Sequence, residues 1–240
     1  MSASRPSIRP ERSTTAGPAP YRRRGPSELL RLAARALDFV LLVRRASRSG
    51  ALPPWSTLRR SVLLELGPGP TKLRLLKRLM FGRVHFVDSD PCGPEREDLT
   101  LMDLEELRSV SSLSEVLGRG GPAPTLLFAD HCLEHLSRET VDHLLGLAEC
   151  LGAACLVRVP NVLSAVGRSN YEGDPTHRTP FEEEHRRALL ELGLDVTPHS
   201  RWYRLGVGGR GAAARMDTAE ELVIVGRPSR SPNHASTGNA

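Results

Sequence analysis

Lysine is nearly absent from the 240 residues: Lys72 and Lys77 are the only two. The basic charge is carried by arginine and is unevenly spread. Of 33 basic and 28 acidic residues, positions 1–60 hold 13 arginines against Glu11, Glu28 and Asp38, leaving 20 and 25 for the remainder. The formal charge of +5 therefore belongs to the N-terminal segment. The body of the chain has no basic surplus of the kind a nucleic-acid groove needs. Cysteine is also scarce. Cys92, Cys132, Cys150 and Cys155 lack the Cys-x-x-Cys pairing of zinc sites and are too few for a disulfide scaffold. They read as buried free thiols in a reducing, cytoplasmic setting. Long apolar runs are missing too. The nearest, 29–43, is interrupted by Arg31, Arg35 and Asp38, which excludes a membrane span and predicts a soluble protein.

Residues 1–26 carry six arginines and five prolines with almost no large apolar side chains, so they cannot bury enough surface to offset ordering. They read as a disordered tail. The prolines oppose the amphipathic helix of a transit peptide. Ser27 is placed to cap a helix over 27–45 in which Leu29, Ala33, Ala36, Leu37, Val40 and Leu41 form an apolar stripe. Such a helix packs on the main domain, with a lid or a membrane-surface helix as the functional alternatives. Residues 48–60 read as a linker. The chain thus divides into a tail over 1–26, an N-terminal helix and linker over 27–60, a main domain over 61–228 and a second tail over 229–240.

The main domain opens on Val62-Leu-Leu-Glu-Leu-Gly-Pro-Gly-Pro70, a run too short for a free-standing helix and apolar enough for a buried parallel strand. Glycines end it. A helix follows, with Leu73, Leu76, Leu79 and Met80 on one face and Lys72, Arg74, Lys77 and Arg78 elsewhere. In a strand–glycine–helix unit the missing side chains let a ligand approach the backbone, and the helix start offers unpaired N–H donors.

Alternating signals continue. Strands are expected at 84–88, 99–103, 125–129, 153–159, 194–197 and 221–225, and helices at 103–117, 137–151 and 181–192, with a long loop over 163–180. In the second of these helices, Val141, Leu144, Leu145 and Ala148 share an inner face. This alternation specifies an α/β fold: a Rossmann-like, doubly wound, seven-stranded, mostly parallel sheet with helices on both faces and an added N-terminal helix. Ligands bind such sheets beyond the carboxyl ends of the strands. That rule selects 65–69, 88–90, Asp103, 130–135 and Pro160-Asn161.

An acidic residue ending the second strand, about twenty residues past the glycine turn, is placed to accept hydrogen bonds from a ribose diol. Asp88 fits, with Asp90 as an alternative. Together with Glu65-Leu-Gly-Pro-Gly-Pro70, this resembles a class I S-adenosylmethionine-dependent methyltransferase; the Gly-x-Gly-x-x-Gly of nicotinamide enzymes is absent, and Pro70 stands where a third family glycine often sits. Phe128-Ala-Asp-His-Cys-Leu-Glu-His-Leu136 is similar to the strand-four motif of the branch that reads Leu-Glu-His-Leu. Val159-Pro-Asn161, Asp174-Pro-Thr-His177, Phe181 and the Leu-Gly-Leu ending at 194 resemble the segment that follows strand five there. The resemblance covers residues 61 to about 227. It implies S-adenosylmethionine as cofactor and a cofactor edge made of Glu65, Gly67, Gly69, Asp88, Asp103, Asp130 and His131. Within it, Gly67 and Gly69 approach the methionine part, Asp88 the ribose hydroxyls and Asp103 the adenine amine, while His131 lines the pocket. Asp103 has a second reading as the cap of the segment after it.

The expected reaction is in-line methyl transfer, with positioning supplying most of the rate. The acceptor is read as a small molecule or glycan, with oxygen as the receiving atom. A hydroxyl acceptor must lose its proton. His177, in a polar loop, is the first candidate base, His131 the second, and His135 is read as structural, inside the first turn of the next helix. His131-Cys-Leu-Glu-His135 also spells the inverted zinc-peptidase signature. Zinc would need both histidines on one helix face and a third ligand, whereas here they straddle a strand end and a helix start, so no metal is expected. A catalytically inactive binding protein on the same fold is the alternative of a different class. A nucleic-acid methyltransferase using the Arg-rich tail is the third.

Overall fold

The computed structural model describes residues 26–68, 73–89, 98–109, 123–200 and 215–229. Seven strands form one sheet: β1 (Val62–Leu66), β2 (Arg83–Asp88), β3 (Leu99–Leu101), β4 (Leu126–Asp130), β5 (Ala154–Pro160), β6 (Asp195–His199) and β7 (Glu221–Gly226). Their order is β3-β2-β1-β4-β5-β7-β6. The first five pair in parallel, and β7 is antiparallel to both β5 and β6. The order reverses between β1 and β4, which places a ligand crevice at their carboxyl ends.

Strand alternation splits the core between the two faces. Leu64, Leu66, Leu127, Ala129, Cys155 and Val157 face a layer made by α3 (Arg138–Cys150), α5 (Glu183–Glu191) and the 3-10 turn Leu104–Ser109. Leu63, Phe86, Leu126, Phe128, Leu156 and Val223 face α1 (Pro26–Arg48), α2 (Arg74–Met80) and the 3-10 turn Trp55–Arg60. The mostly parallel, doubly wound sheet and its N-terminal helix are as the pattern requires. On α3, Val141, Leu144, Leu145 and Ala148 are buried, and Ser137 caps its start by accepting from Thr140 N.

Five local expectations change. The first helix begins at Pro26, so Ser27 lies inside it. Its buried face is Phe39, Leu42, Val43 and Ala46, while Leu37 and Leu41 are each 47% exposed; apolar residues lie nearly all round this helix, and the aromatic ring of Phe39 decides which side turns inward. On α2 the basic residues Arg74 and Lys77 are buried and Leu79 is exposed, because the carboxylate of Glu65 and the rings of Phe39, Phe86 and Phe128 lie beneath them. The loop over 163–180 contains α4 (Ala165–Glu172), whose N-cap Ser164 accepts from Gly167 N at 3.0 Å; Gly, Ser and Asn in its sequence mask the helical signal. Residues 48–60, read as a linker, hold a 3-10 turn. Cys132 and Cys155 are buried free thiols, but Cys150 is exposed. Cys92, the tail over 1–25 and the continuation of the helix expected to reach 117 lie outside the described residues. No helix among the described residues is long and apolar enough to cross a membrane.

Candidate functional site

Parallel register aligns the strand ends. Leu66 pairs with Val87 on one side and with Ala129 on the other, so Gly67 comes beside both Asp88 and Asp130. Gly67 N donates to Val87 O at 2.8 Å, Met102 N to Asp88 O at 3.0 Å and His131 N to Arg158 O at 2.9 Å. Gly67, Asp88, Asp103, Asp130 and His131 therefore lie along one edge, with Glu65 one turn of the pleat below it. Gly69, Pro70 and Asp90 fall outside the described residues.

Gly67 has φ of 56°, and a Cβ there would meet Cys132 Sγ at 2.6 Å. The glycine is thus required by the left-handed backbone and by the β4 loop packed on it. Glu65 faces the α1–α2 layer, is 1% exposed, and accepts from Lys77 Nζ at 2.5 Å. The ammonium also lies 4.6 Å from the Phe128 ring and 5.2 Å from that of Phe39. Burial pushes the Glu65 carboxyl up, and Lys77 opposes the rise. Glu65 shapes the edge from beneath rather than facing out of it. Asp88 is buried at the end of β2. Asp103 is exposed, and its Oδ1 accepts from Glu105 N at 3.0 Å, which is the capping arrangement.

Asp130 is held by a residue that periodicity does not single out. Arg158, on β5, binds it with two bonds, Nε to Oδ1 at 2.8 Å and Nη2 to Oδ2 at 2.5 Å. The same guanidinium reaches Asp38 of α1 at 2.5 Å and lies 4.0 Å from Glu221 of β7. The available signal was a charge inside the apolar strand Ala154–Pro160, since a buried arginine demands carboxylates.

His131 follows Asp130 with φ of 54°. Its Nδ1 meets Glu134 Oε1 at 3.1 Å and its Nε2 meets Glu221 Oε1 at 3.0 Å. Burial alone would depress the imidazolium, but hydrogen bonds and charge from the two carboxylates outweigh it and raise the pKa to about 9. With both nitrogens engaged as donors, His131 has no lone pair for a base.

His177 is different. Its Nδ1 lies 2.7 Å from Tyr171 O. A carbonyl only accepts, so Nδ1 carries a proton, and in the neutral ring Nε2 holds the lone pair. The ring stacks on Tyr171 and lies 4.6 Å from the ring of His135. His135 closes the 3-10 turn Leu133–His135, ahead of α3, rather than sitting in the helix's first turn. Two backbone bonds, Arg178 N and Thr179 N to Glu134 O at 2.7 and 3.0 Å, hold the His177 loop against this turn. His131 and His135 share no helix face, so the arrangement is not that of the inverted zinc peptidases.

No protein-family model matches the chain, and no curated protein does. Solved structures do. An S-adenosylmethionine-dependent methyltransferase from Archaeoglobus fulgidus aligns over 85% of this chain and 100% of its own, with 16% identity and a TM-score of 0.53. A proposed S-adenosylmethionine-dependent methyltransferase from Listeria monocytogenes aligns over 83% of this chain and 99% of its own, with 13% identity and a TM-score of 0.50. At such identities the likeness is one of fold. The chain has the Rossmann-like fold seen in these methyltransferases.

Proposed function

We propose that the chain is an S-adenosylmethionine-dependent methyltransferase that delivers a methyl group to a hydroxyl oxygen of a small molecule or a sugar. The observation that supports this most is the single row formed by the Gly67 turn, Asp88 and Asp130 at the point where strand order reverses. The donor chemistry of that row fits the cofactor. Asp88, nearly buried beside the Gly67 turn, is an acceptor for a ribose diol, and Asp103 follows β3 one strand further out. When bound, S-adenosylmethionine supplies a sulfonium methyl that passes to the acceptor oxygen as the C–S bond breaks and the hydroxyl proton is released.

The chain's own residues bind, orient and accept. Asp130 is fixed by its two bonds from Arg158, so it keeps its place without reorganising, and such preorganisation supplies much of the rate in a displacement. His177 Nε2 is the nitrogen that can engage an acceptor hydroxyl. The test is transfer of labelled methyl to a panel of hydroxylated acceptors, with cofactor binding measured in parallel. Transfer to any of them supports the reading. Binding with no transfer favours a non-catalytic protein on the same fold.

A further inference from the structure

Glu134, His135 and His177 each bring one donor atom into a group whose members all lie within 4.8 Å of one another. Forty-two residues separate His135 from His177 along the chain, and the two backbone bonds from 178–179 to Glu134 O bring them together. Thr179 adds a third bond, from Oγ1 to Leu136 O at 2.6 Å.

The tautomers are set as metal ligands require. His177 Nδ1 donates to Tyr171 O. His135 Nδ1 lies 2.9 Å from Thr176 Oγ1, whose own proton goes to Asp174 Oδ1 at 2.6 Å. Thr176 must therefore accept from His135, and in their neutral forms both histidines present a bare Nε2. A ligating histidine nearly always donates its other N–H in this way. The third member is independently unusual. The Glu134 side chain is fully buried, with Oε1 accepting from His131, while Oε2 has no hydrogen-bond partner among the described residues. An orphaned buried carboxylate oxygen is costly unless something cationic meets it.

We infer that Glu134, His135 and His177 form a site for a divalent transition-metal cation of the zinc, cobalt and manganese class. Two imidazole nitrogens and one carboxylate favour such ions over magnesium or calcium, which prefer all-oxygen sets. Donors about 2.1 Å from one ion lie roughly 3 to 3.5 Å apart, so the cluster closes by one to two ångströms, on the order of what side-chain rotation supplies. Asp174 Oδ2, 3.8 Å from His177 Nε2, stands beside the site. Three protein ligands leave coordination positions for an acceptor oxygen, whose acidity the ion raises. This inference rests on the methyltransferase reading for its role in the reaction, where His177 then serves as a ligand in place of a base. The cation site itself does not depend on that reading.

The test uses the full chain, stripped with a chelator and titrated calorimetrically with Co²⁺, Mn²⁺, Zn²⁺ and Mg²⁺, with Co²⁺ absorption as the signature of nitrogen ligation. One equivalent of transition metal is expected, with far weaker Mg²⁺ binding. His135→Ala and His177→Ala each should lower affinity about 100-fold, and Thr176→Val, at an exposed position, about 10-fold. Glu134→Gln is interpreted only if its melting curve shows a folded protein; the histidine and threonine variants keep the proposal falsifiable otherwise. Absence of binding to the wild type, or binding that survives both histidine changes, overturns the site. S-adenosylmethionine binding is measured on the same samples. Cation binding without cofactor binding overturns only the methyltransferase reading. Cofactor binding with chelator-resistant transfer overturns only the cation's part.

Discussion

Arg158 Nη1 donates to the carboxylate of Asp38 at 2.5 Å across 120 residues of sequence, joining the N-terminal helix to the centre of the sheet. The pair is buried on both sides, and Arg158 continues to Asp130 at the candidate site. Helix α1 is therefore part of the structure that holds the site's edge. Asp38→Ala is expected to cost about 3 kcal/mol, the low end for breaking a buried pair, because Asp130 remains as a partner. Arg158→Met should cost more, since it strands several carboxylates. Urea unfolding of both, with the double variant, measures the coupling. A loss below about 1 kcal/mol for Asp38→Ala would show that α1 is attached by its apolar face alone.

Gly67→Ala should destabilise the fold by about 2–4 kcal/mol, combining a left-handed backbone with displacement of the Cys132 side chain. Cys132→Ala in the same background should recover part of that loss by removing Sγ. Thermal melts of the three variants check this, and equal melting of Gly67→Ala and wild type would contradict it.

Lys77 is the only described cation on the Glu65 carboxylate by direct contact. Lys77→Met is expected to cost about 3–5 kcal/mol by leaving that carboxylate buried and uncompensated, whereas Lys77→Met with Glu65→Leu should be much closer to wild type. Denaturant midpoints decide it. Additive losses in the double variant would rule out the pairing.

Glu105 accepts from Ser137 N at 2.6 Å, from the Ser137 and Thr140 hydroxyls at 2.8 and 2.6 Å, and from Arg178 Nη1 at 2.6 Å. Burial, the largest single influence, would raise its carboxyl, but these donors together outweigh it and hold the carboxyl below the usual carboxylate range. A depressed folded value means that the stabilisation is present above the unfolded carboxylate range and is lost as pH falls through the folded value. Glu105→Gln should therefore cost about 1–3 kcal/mol at neutral pH and should flatten the acid limb of a stability–pH curve below about pH 4.5. An unchanged acid limb in the variant would remove Glu105 from this role.

The strands were legible because burial on both faces makes short Val- and Leu-rich runs, and 62–66 coincides with β1 residue for residue. The inner face of α3 was equally legible, since its apolar residues recur at helical spacing above a capping Ser137. Charge pairing was not. In the sequence Asp38 only interrupts an apolar run, yet it sits 3% exposed against Arg158. Lys77 and Arg74 followed no hydrophobic rule because carboxylate and ring faces hold them inward. At the site, periodicity and the strand-end rule found the row through Gly67, Asp88 and Asp130, since register fixes which strand ends meet. The grouping of Glu134, His135 and His177 depends on a loop returning from 177 to 134, and no local pattern encodes such a contact. Residue type alone makes His131 a candidate base, whereas the two carboxylates that hold it protonated come from separate elements.

The central claim is that the row of strand ends beside Gly67 takes S-adenosylmethionine. Calorimetric titration of the purified full chain with S-adenosylmethionine and with its demethylated product tests it most directly. Saturable binding of both at one equivalent is predicted, weakened about 10-fold or more by Asp88→Ala through loss of hydrogen bonds to a charged acceptor. Absence of binding of either compound to a folded wild-type chain would contradict the account.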